Sequence, residues 1–200
     1  MIHPDTELRF INDVVGYGVV AKKFIPKGTI TWVQDDLDQV FTPEAIQKLN
    51  PVMLNHLDTY CFTNNKGEKI LCWDNAKFVN HSFNSSCMST AYDFEIAIRD
   101  IYPGEQLTDD YGYLNISEPF EAEDEGTERK IVYPDDILKY HTIWDQAVID
   151  NLQNINKLAQ PLDKFISAKT REEFNRVISG ESPLRSIKSC YFEQTILNRS

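Results

Sequence analysis

Short runs of hydrophobic residues alternate with polar residues and turns over the first 113 residues. ELRFIND, GYGVVAKKF and TITWV are rich in β-branched and aromatic residues, so they predict strands. IPKG at 25–28 and YPGE at 102–105 predict turns between strands. YCFTNNKGEKILCW predicts a hairpin around 64–67, and MSTAYDFEIAIRD predicts two more strands. TPEAIQKLN at 42–50 predicts a helix that ends where Pro51 follows.

The pattern changes after residue 117. Residues 118–130 contain six acidic residues and little that is apolar beyond Phe120, a composition typical of a loop or a mobile linker. Further on, apolar residues recur with the period of a helix, and TREEFNRVISG predicts a helix from Thr170 to Gly180. The predicted parts are a β-rich domain (1–117), an acidic linker or loop (118–132) and a helical C-terminal segment that packs on the domain (133–200).

The balance of acidic and basic residues indicates which kinds of binding partner to expect. The 200 residues include 31 acidic and 20 basic side chains, for a net charge of −11. Nucleic-acid-binding proteins usually carry a basic surface, so we expect no nucleic-acid partner. An acidic surface suits a cationic partner such as a lysine-rich protein, although ordinary solubility is the simpler explanation.

The cysteines and the apolar runs indicate the cellular compartment. Cys61, Cys72, Cys87 and Cys190 show no C-x-x-C spacing, which argues against a zinc ribbon or a redox dithiol. We therefore predict reduced thiols and an intracellular location, cytoplasmic or, in a eukaryote, nuclear. The N-terminus lacks the features of a signal peptide, and no apolar run approaches the ~18 residues of a membrane span.

Three short motifs are candidates for chemistry: GYG at 16–18, NHS at 80–82 and GEQLTDDYGY at 104–113. Each has an ordinary structural interpretation when taken alone. GYG suits a strand entry or a bulge. It does not predict a dinucleotide-binding site, because the remaining features of that fingerprint are missing. Asn80 and His81 suit either a hydrogen-bonded turn or the edge of an adenine ring.

Taken in this order, the motifs resemble those of the SET-domain family of protein lysine methyltransferases. The family shows G-x-G, then R-F-x-N-H-S-C-x-P-N, then G-E-E-L-x-x-D-Y-G. This chain has GYGVVAKKFIPKGTI, KFVNHSFNSSC and IYPGEQLTDDYG, and the resemblance covers about residues 7–115.

The chain also departs from the family pattern. Phe83 stands where many members have cysteine, and Ser85 and Ser86 replace the Pro-Asn pair. Members with a post-SET zinc have three more cysteines after the tyrosine, whereas FEAEDEGTERK has none. Thiolates are what such a site requires, so we expect no metal. The helix beginning near Tyr133 is the candidate to cover the cofactor instead.

The resemblance implies an α+β protein with the β-rich SET fold, in which small curved sheets surround a knot-like threaded segment, plus the helical C-terminal tail. It implies S-adenosyl-L-methionine as the cofactor. Gly16, Tyr17 and Gly18 would line the cofactor, and Asn80 and His81 would hold its adenine and its amino-acid end.

The resemblance also implies methyl transfer to a lysine side chain of a protein substrate. Tyr111 would be the catalytic tyrosine, with its hydroxyl near the methyl group. Tyr60 resembles a second tyrosine of the substrate channel, Tyr113 is a candidate for the channel entrance, and ordinary packing suits both equally. Asp109 stands where some relatives have a Phe or Tyr that tunes the number of methyl groups.

Two functions stay open from the sequence. One is an active lysine methyltransferase, which the intact Asn80, His81 and Tyr111 favour. The other is a catalytically impaired SET module that binds a protein, which the missing zinc cysteines and Asp109 allow. The substrate protein, the number of methyl groups and the oligomeric state do not follow from the residues.

Overall fold

The computed structural model describes residues 1–193, which form twelve short strands and five α-helices. The strands are β1 (Thr6–Asn12), β2 (Gly16–Ala21), β3 (Ile30–Val33), β4 (Gln39–Phe41), β5 (Cys61–Thr63), β6 (Lys69–Leu71), β7 (Asn80–His81), β8 (Cys87–Ser89), β9 (Phe94–Ala97), β10 (Thr108–Asp109), β11 (Phe120–Glu121) and β12 (Ile131–Val132). The helices are α1 (Pro43–Ile46), α2 (Pro51–Tyr60), α3 (Asp136–Ile149), α4 (Leu152–Ile155) and α5 (Ala168–Ile178). The last seven residues of the predicted C-terminal segment lie outside this description.

The strands pair into small separate sheets, as the resemblance implies. β1 pairs with β2, and two three-stranded sheets have the orders β3-β9-β8 and β4-β6-β5. β11 pairs antiparallel with β12, whereas β7 and β10 pair in parallel. The predicted hairpin around 64–67 is confirmed by the antiparallel pairing of β5 with β6.

Two hydrophobic clusters hold these elements together. The first joins the β3-β9-β8 sheet to the C-terminal helices, through residues such as Phe94, Trp144 and Phe174. The second lies under β2 and around the turn after it, and includes Val19, Ile25 and Leu107. Burial of these side chains is the main favourable term that holds the helical segment on the sheets.

Helix α2 is absent from the sequence prediction because its start was interpreted as a stop. The side chain of Asn50 accepts a hydrogen bond from the Met53 amide at 3.0 Å, and Pro51 occupies the first helical position. Both residue types favour a helix start as well as a helix end. The preceding helix is correspondingly short, since α1 ends at Ile46.

Helix α5 confirms the predicted end and corrects the predicted start. Ser167, not Thr170, caps it, because the Ser167 hydroxyl accepts from the Thr170 amide at 3.0 Å. Gly180 follows the helix with φ of +77°, the left-handed conformation that glycine favours there. Among the helices within residues 1–193, none is long and apolar enough to cross a bilayer.

Candidate active site

Parallel pairing of β7 with β10 brings two of the three motifs together. Asn80 pairs with Thr108, and His81 pairs with Asp109. The Tyr111 amide then donates a hydrogen bond to His81 Nδ1 at 3.1 Å. The NHS and DDYG motifs, about thirty residues apart in the chain, are therefore adjacent in space.

Asn80 joins the first motif to this pair. Its amide nitrogen donates to the carbonyl oxygen of Tyr17 at 3.1 Å and to Gln106 Oε1 at 3.0 Å. A Cβ added at Gly18 would lie 2.8 Å from the Asn80 amide nitrogen and would overlap the Gln106 side chain. The close approach of these side chains to the strand explains why glycine occupies position 18.

Tyr111 lies at a cavity of about 420 Å³. Its hydroxyl donates to the Val79 carbonyl oxygen at 2.6 Å, which fixes the orientation of the ring. Burial, reinforced by the charges of Asp109 and Glu95, raises the pKa of the Tyr111 phenol well above its ordinary value. Tyr111 is therefore a neutral hydroxyl group at physiological pH.

Tyr60 and Asp109 line the same cavity as Tyr111. Tyr60 is the last residue of α2, and its ring packs edge-on against Phe78 with the ring centroids 5.4 Å apart. Asp109 is 4% exposed. Gly16, Tyr17, Gly18, Asn80 and His81 are not among the residues that line this cavity.

Tyr113, the candidate for the channel entrance, is not among the residues that line the cavity at Tyr111. Residues 111–113 form a 3₁₀ turn, in which side chains two positions apart point in different directions. Tyr113 is 3% exposed and packs edge-on against Trp144 with the ring centroids 5.2 Å apart. Its hydroxyl donates to Asp109 Oδ1 at 3.0 Å.

Glu95 is a cavity residue that sequence reasoning missed. It lies on β9, lines the cavity and hydrogen-bonds to Asp109. Burial raises the pKa of both groups, that of Asp109 to about 6 and that of Glu95 well above its ordinary value. The sequence feature that could have identified Glu95 is its position between Phe94 and Ile96 in an otherwise apolar strand, where burying a charge is costly.

His81 has one ring nitrogen without a partner. Because Nδ1 accepts from the Tyr111 amide, the proton of the neutral ring is assigned to Nε2. Nε2 is buried, and no group within residues 1–193 bonds to it. The ring packs against Phe83, Tyr111 and Phe120, and burial lowers its pKa. A buried donor of this kind is suited to a ligand.

The acidic segment after the third motif is bound to the site rather than free. The Glu125 carboxylate accepts from the Phe83 amide at 2.9 Å and from the Ser82 hydroxyl at 3.0 Å. β11 and β12 within this segment form a short hairpin. Composition indicated a loop or a mobile linker, but it does not show which of the acidic residues find a partner.

Arg129 connects this segment to the third motif and to α3. Its guanidinium group bonds to Asp110, which precedes Tyr111, and to Asp136 at 2.6 Å. It also stacks over the rings of Phe83 and Tyr140, with its central carbon 4.6 and 4.4 Å from their centroids. Within the described part of the chain, no cluster of three or more His, Cys, Asp or Glu side chains is arranged to hold a metal.

Comparison with known proteins finds one family match. Residues 16–112 match the family model of the SET domain, from the first glycine of GYG to the residue after Tyr111. The match therefore contains all three motifs that the structure brings together. The search of curated proteins found no match to the chain. The chain therefore contains a SET domain over residues 16–112.

Proposed function

We propose that the protein is a lysine N-methyltransferase that transfers a methyl group from S-adenosylmethionine to the side-chain amine of a lysine in a protein substrate. SET domains are generally protein lysine methyltransferases. The observation that carries the proposal is the convergence of the three motifs, with the Tyr111 hydroxyl fixed beside a cavity.

The residues around His81 fit the cofactor. The buried Nε2 donor of His81 lacks an acceptor within the described residues, and the neighbouring Asn80 contacts the GYG strand through the Tyr17 carbonyl oxygen. Bound there, S-adenosylmethionine supplies a methyl group on a positively charged sulfonium. Asn80 and His81 would hold it by hydrogen bonds, and Gly16, Tyr17 and Gly18 by backbone groups.

Tyr111 would position the reacting amine. A phenol is rigid and half apolar, so it walls a narrow channel and still presents one hydroxyl group. The bond to the Val79 carbonyl restricts where that hydroxyl lies. Alignment of the amine by such a fixed group contributes several kcal/mol to catalysis. Tyr60 and Asp109 would form further walls of the channel.

We also propose how the chain divides into segments. We assign residues 1–117 to the SET domain, 118–132 to a connecting loop and 133–200 to a helical segment. The bonds of Arg129 to Asp110 and Asp136 support a covering role for the connecting loop and the start of α3. The knot-like threading of the family stays a prediction, which the parallel pairing of β7 with β10 supports.

Two measurements on purified protein test this function. Calorimetry measures binding of S-adenosylmethionine, and transfer of a labelled methyl group to proteins of a cell lysate measures turnover. Tyr111→Phe should keep cofactor binding and lose about 100-fold in transfer rate, because it removes only the positioning hydroxyl. Tyr102→Phe is the matched control, since Tyr102 is 56% exposed and lies outside the site.

The outcomes separate the two functions that stay open. Transfer that falls in Tyr111→Phe and persists in Tyr102→Phe supports the enzyme. Cofactor binding without any transfer by the wild-type protein supports a non-catalytic SET module. Absence of both binding and transfer overturns the proposal.

A further inference from the structure

Two buried acidic side chains lie together at the cavity that contains Tyr111. Glu95 and Asp109 are 9% and 4% exposed, and both line the cavity. Besides the bond between them, Ser89 donates to Glu95 at 3.0 Å and Tyr113 donates to Asp109 at 3.0 Å. Two carboxyl groups this close do not readily ionise together, so the pair holds one proton and one negative charge at neutral pH.

This negative charge has no counter-ion in the described part of the chain. No cationic side chain among residues 1–193 forms an ion pair with Glu95 or Asp109. Lys69 lines the cavity but pairs with Asp58 at 2.9 Å, and Lys77 lies over the Phe78 ring instead. Because an uncompensated buried charge is strongly destabilising, the site is suited to a cation.

Trp32 independently indicates a missing ligand. It is 6% exposed, lines the same cavity and is the cross-strand partner of Glu95. Its indole N–H is buried and has no acceptor within residues 1–193. Buried donors are usually satisfied, so an unpaired one at a cavity indicates a polar group that the protein alone does not supply.

Tyr111 is unsuited to take a proton from such a ligand, because its phenol already holds its own proton at physiological pH. Asp109 is the member of the pair that we assign as ionised, because the hydrogen bond that it accepts from the Tyr113 hydroxyl favours its charged form. The other titratable groups that line the cavity or act on the pair are Met1 (its amino group), Asp58, Tyr60, Cys61, Lys69, Cys72, Lys77, Cys87, Asp110 and Glu118.

We propose that the Glu95–Asp109 pair binds the ammonium group of the substrate lysine and accepts its proton. This inference rests on the proposed function. One N–H bond of the ammonium breaks, one O–H bond forms on Asp109, and the nitrogen keeps the electron pair as a neutral amine. A positive and a negative charge become two neutral groups, a change that burial favours. The proton returns to solvent when the product leaves.

The binding half is tested without turnover. The probe is n-butylammonium, which reproduces the end of a lysine side chain, and n-butanol is its neutral counterpart. Chemical-shift titration at pH 7.5 should show the ammonium binding at least tenfold more tightly than the alcohol to the wild-type protein. Asp109→Asn should lose this preference. Asp58→Asn should keep it, because Asp58 is half exposed at the cavity and already paired. Equal binding of the two probes to the wild-type protein overturns the inference.

The proton-transfer half is tested by the pH dependence of methyl transfer. Asp109→Asn should lower kcat about 100-fold. The rate should also rise with pH, because loss of the lysine ammonium proton to solvent becomes rate-limiting. Glu95→Gln removes one member of the pair but keeps a hydrogen-bond donor to Asp109, so it should lower the rate less than Asp109→Asn does and alter the apparent pKa of the rate. A wild-type pH profile and rate in Asp109→Asn would refute the role of the pair. Absence of transfer in the wild-type protein would refute the proposed function instead, while the binding titration still decides the cation site.

Discussion

Replacing Asp109 with asparagine should stabilise the folded protein at neutral pH. Asp109 is buried, and its pKa of about 6 in the folded protein lies above its ordinary value of 3.8. The folded protein therefore binds this proton more tightly than the unfolded chain does. By linkage, the aspartate reduces the free energy of unfolding progressively as the pH rises from 3.8 through about 6.

The magnitude follows from the two pKa values. At about 1.36 kcal/mol for each tenfold change in proton affinity, the interval from 3.8 to about 6 amounts to roughly 3 kcal/mol. Asparagine has the same shape, accepts from the Tyr113 hydroxyl and can bond to Glu95, so it removes the charge with little change in packing. The variant should be more stable than the wild-type protein by roughly 3 kcal/mol at pH 8, and by about half of that at pH 5.

Urea unfolding at several pH values measures this difference. Asp58→Asn, which alters a half-exposed and paired carboxylate, should change the free energy of unfolding by less than about 1 kcal/mol. An Asp109→Asn variant that is less stable than the wild-type protein at pH 8 would refute the reasoning. So would a stability difference that does not change between pH 5 and pH 8. Either result would mean that Asp109 is satisfied within the folded protein and does not need a cation.

Two further predictions concern the segment that packs over the site. Arg129→Ala should lower the free energy of unfolding by about 3–5 kcal/mol, because it removes the guanidinium group that compensates two buried carboxylates. Lys130→Ala, which removes an exposed ion pair, should cost under about 1 kcal/mol in the same urea experiment, and equal effects would contradict the bridge. Trp144→Ala should cost about 3–5 kcal/mol, because the side chain is 5% exposed in the main core. Ile143→Ala is its neighbouring control at 65% exposure and should be nearly neutral, so a similar loss in both variants would show that α3 is not docked through Trp144.

The sequence predicted the proximity of the three motifs better than the bounds of the helices around them. The order of the three motifs was sufficient to expect that residues near 17, 80 and 111 meet, and the bonds of Asn80 to Tyr17 and of His81 to Tyr111 join these segments. Gly18 belongs to one of these motifs, and the side chains of Gln106, Asn80 and Ile11 approach it closely. These features depend on local residue types, which a sequence displays directly.

The features that sequence reasoning missed depend on tertiary contacts. Asn50 and Pro51 are compatible with either end of a helix, and only packing decides that they begin α2. Glu125 belongs to an acidic run in which nothing distinguishes it, yet it bonds to Phe83 and Ser82. Tyr113 follows Tyr111 by two residues, but the 3₁₀ turn directs it towards Trp144.

The contact between Glu95 and Asp109 could not be predicted from the sequence either. The two residues are fourteen positions apart, and β9 and β10 lie in different sheets. Their approach follows from how these sheets pack around the cavity. A charged residue in the middle of a short apolar strand was the only local signal of this partnership.

The most direct test of the central claim is to locate the transferred methyl group. The wild-type protein is incubated with isotopically labelled S-adenosylmethionine and a cell lysate, and modified peptides are mapped by mass spectrometry. The account predicts label on lysine side chains, at sites that lose the label when Tyr111→Phe replaces the wild-type protein. Label confined to nucleic acids or small molecules, or lysine label that persists unchanged in Tyr111→Phe, would contradict it.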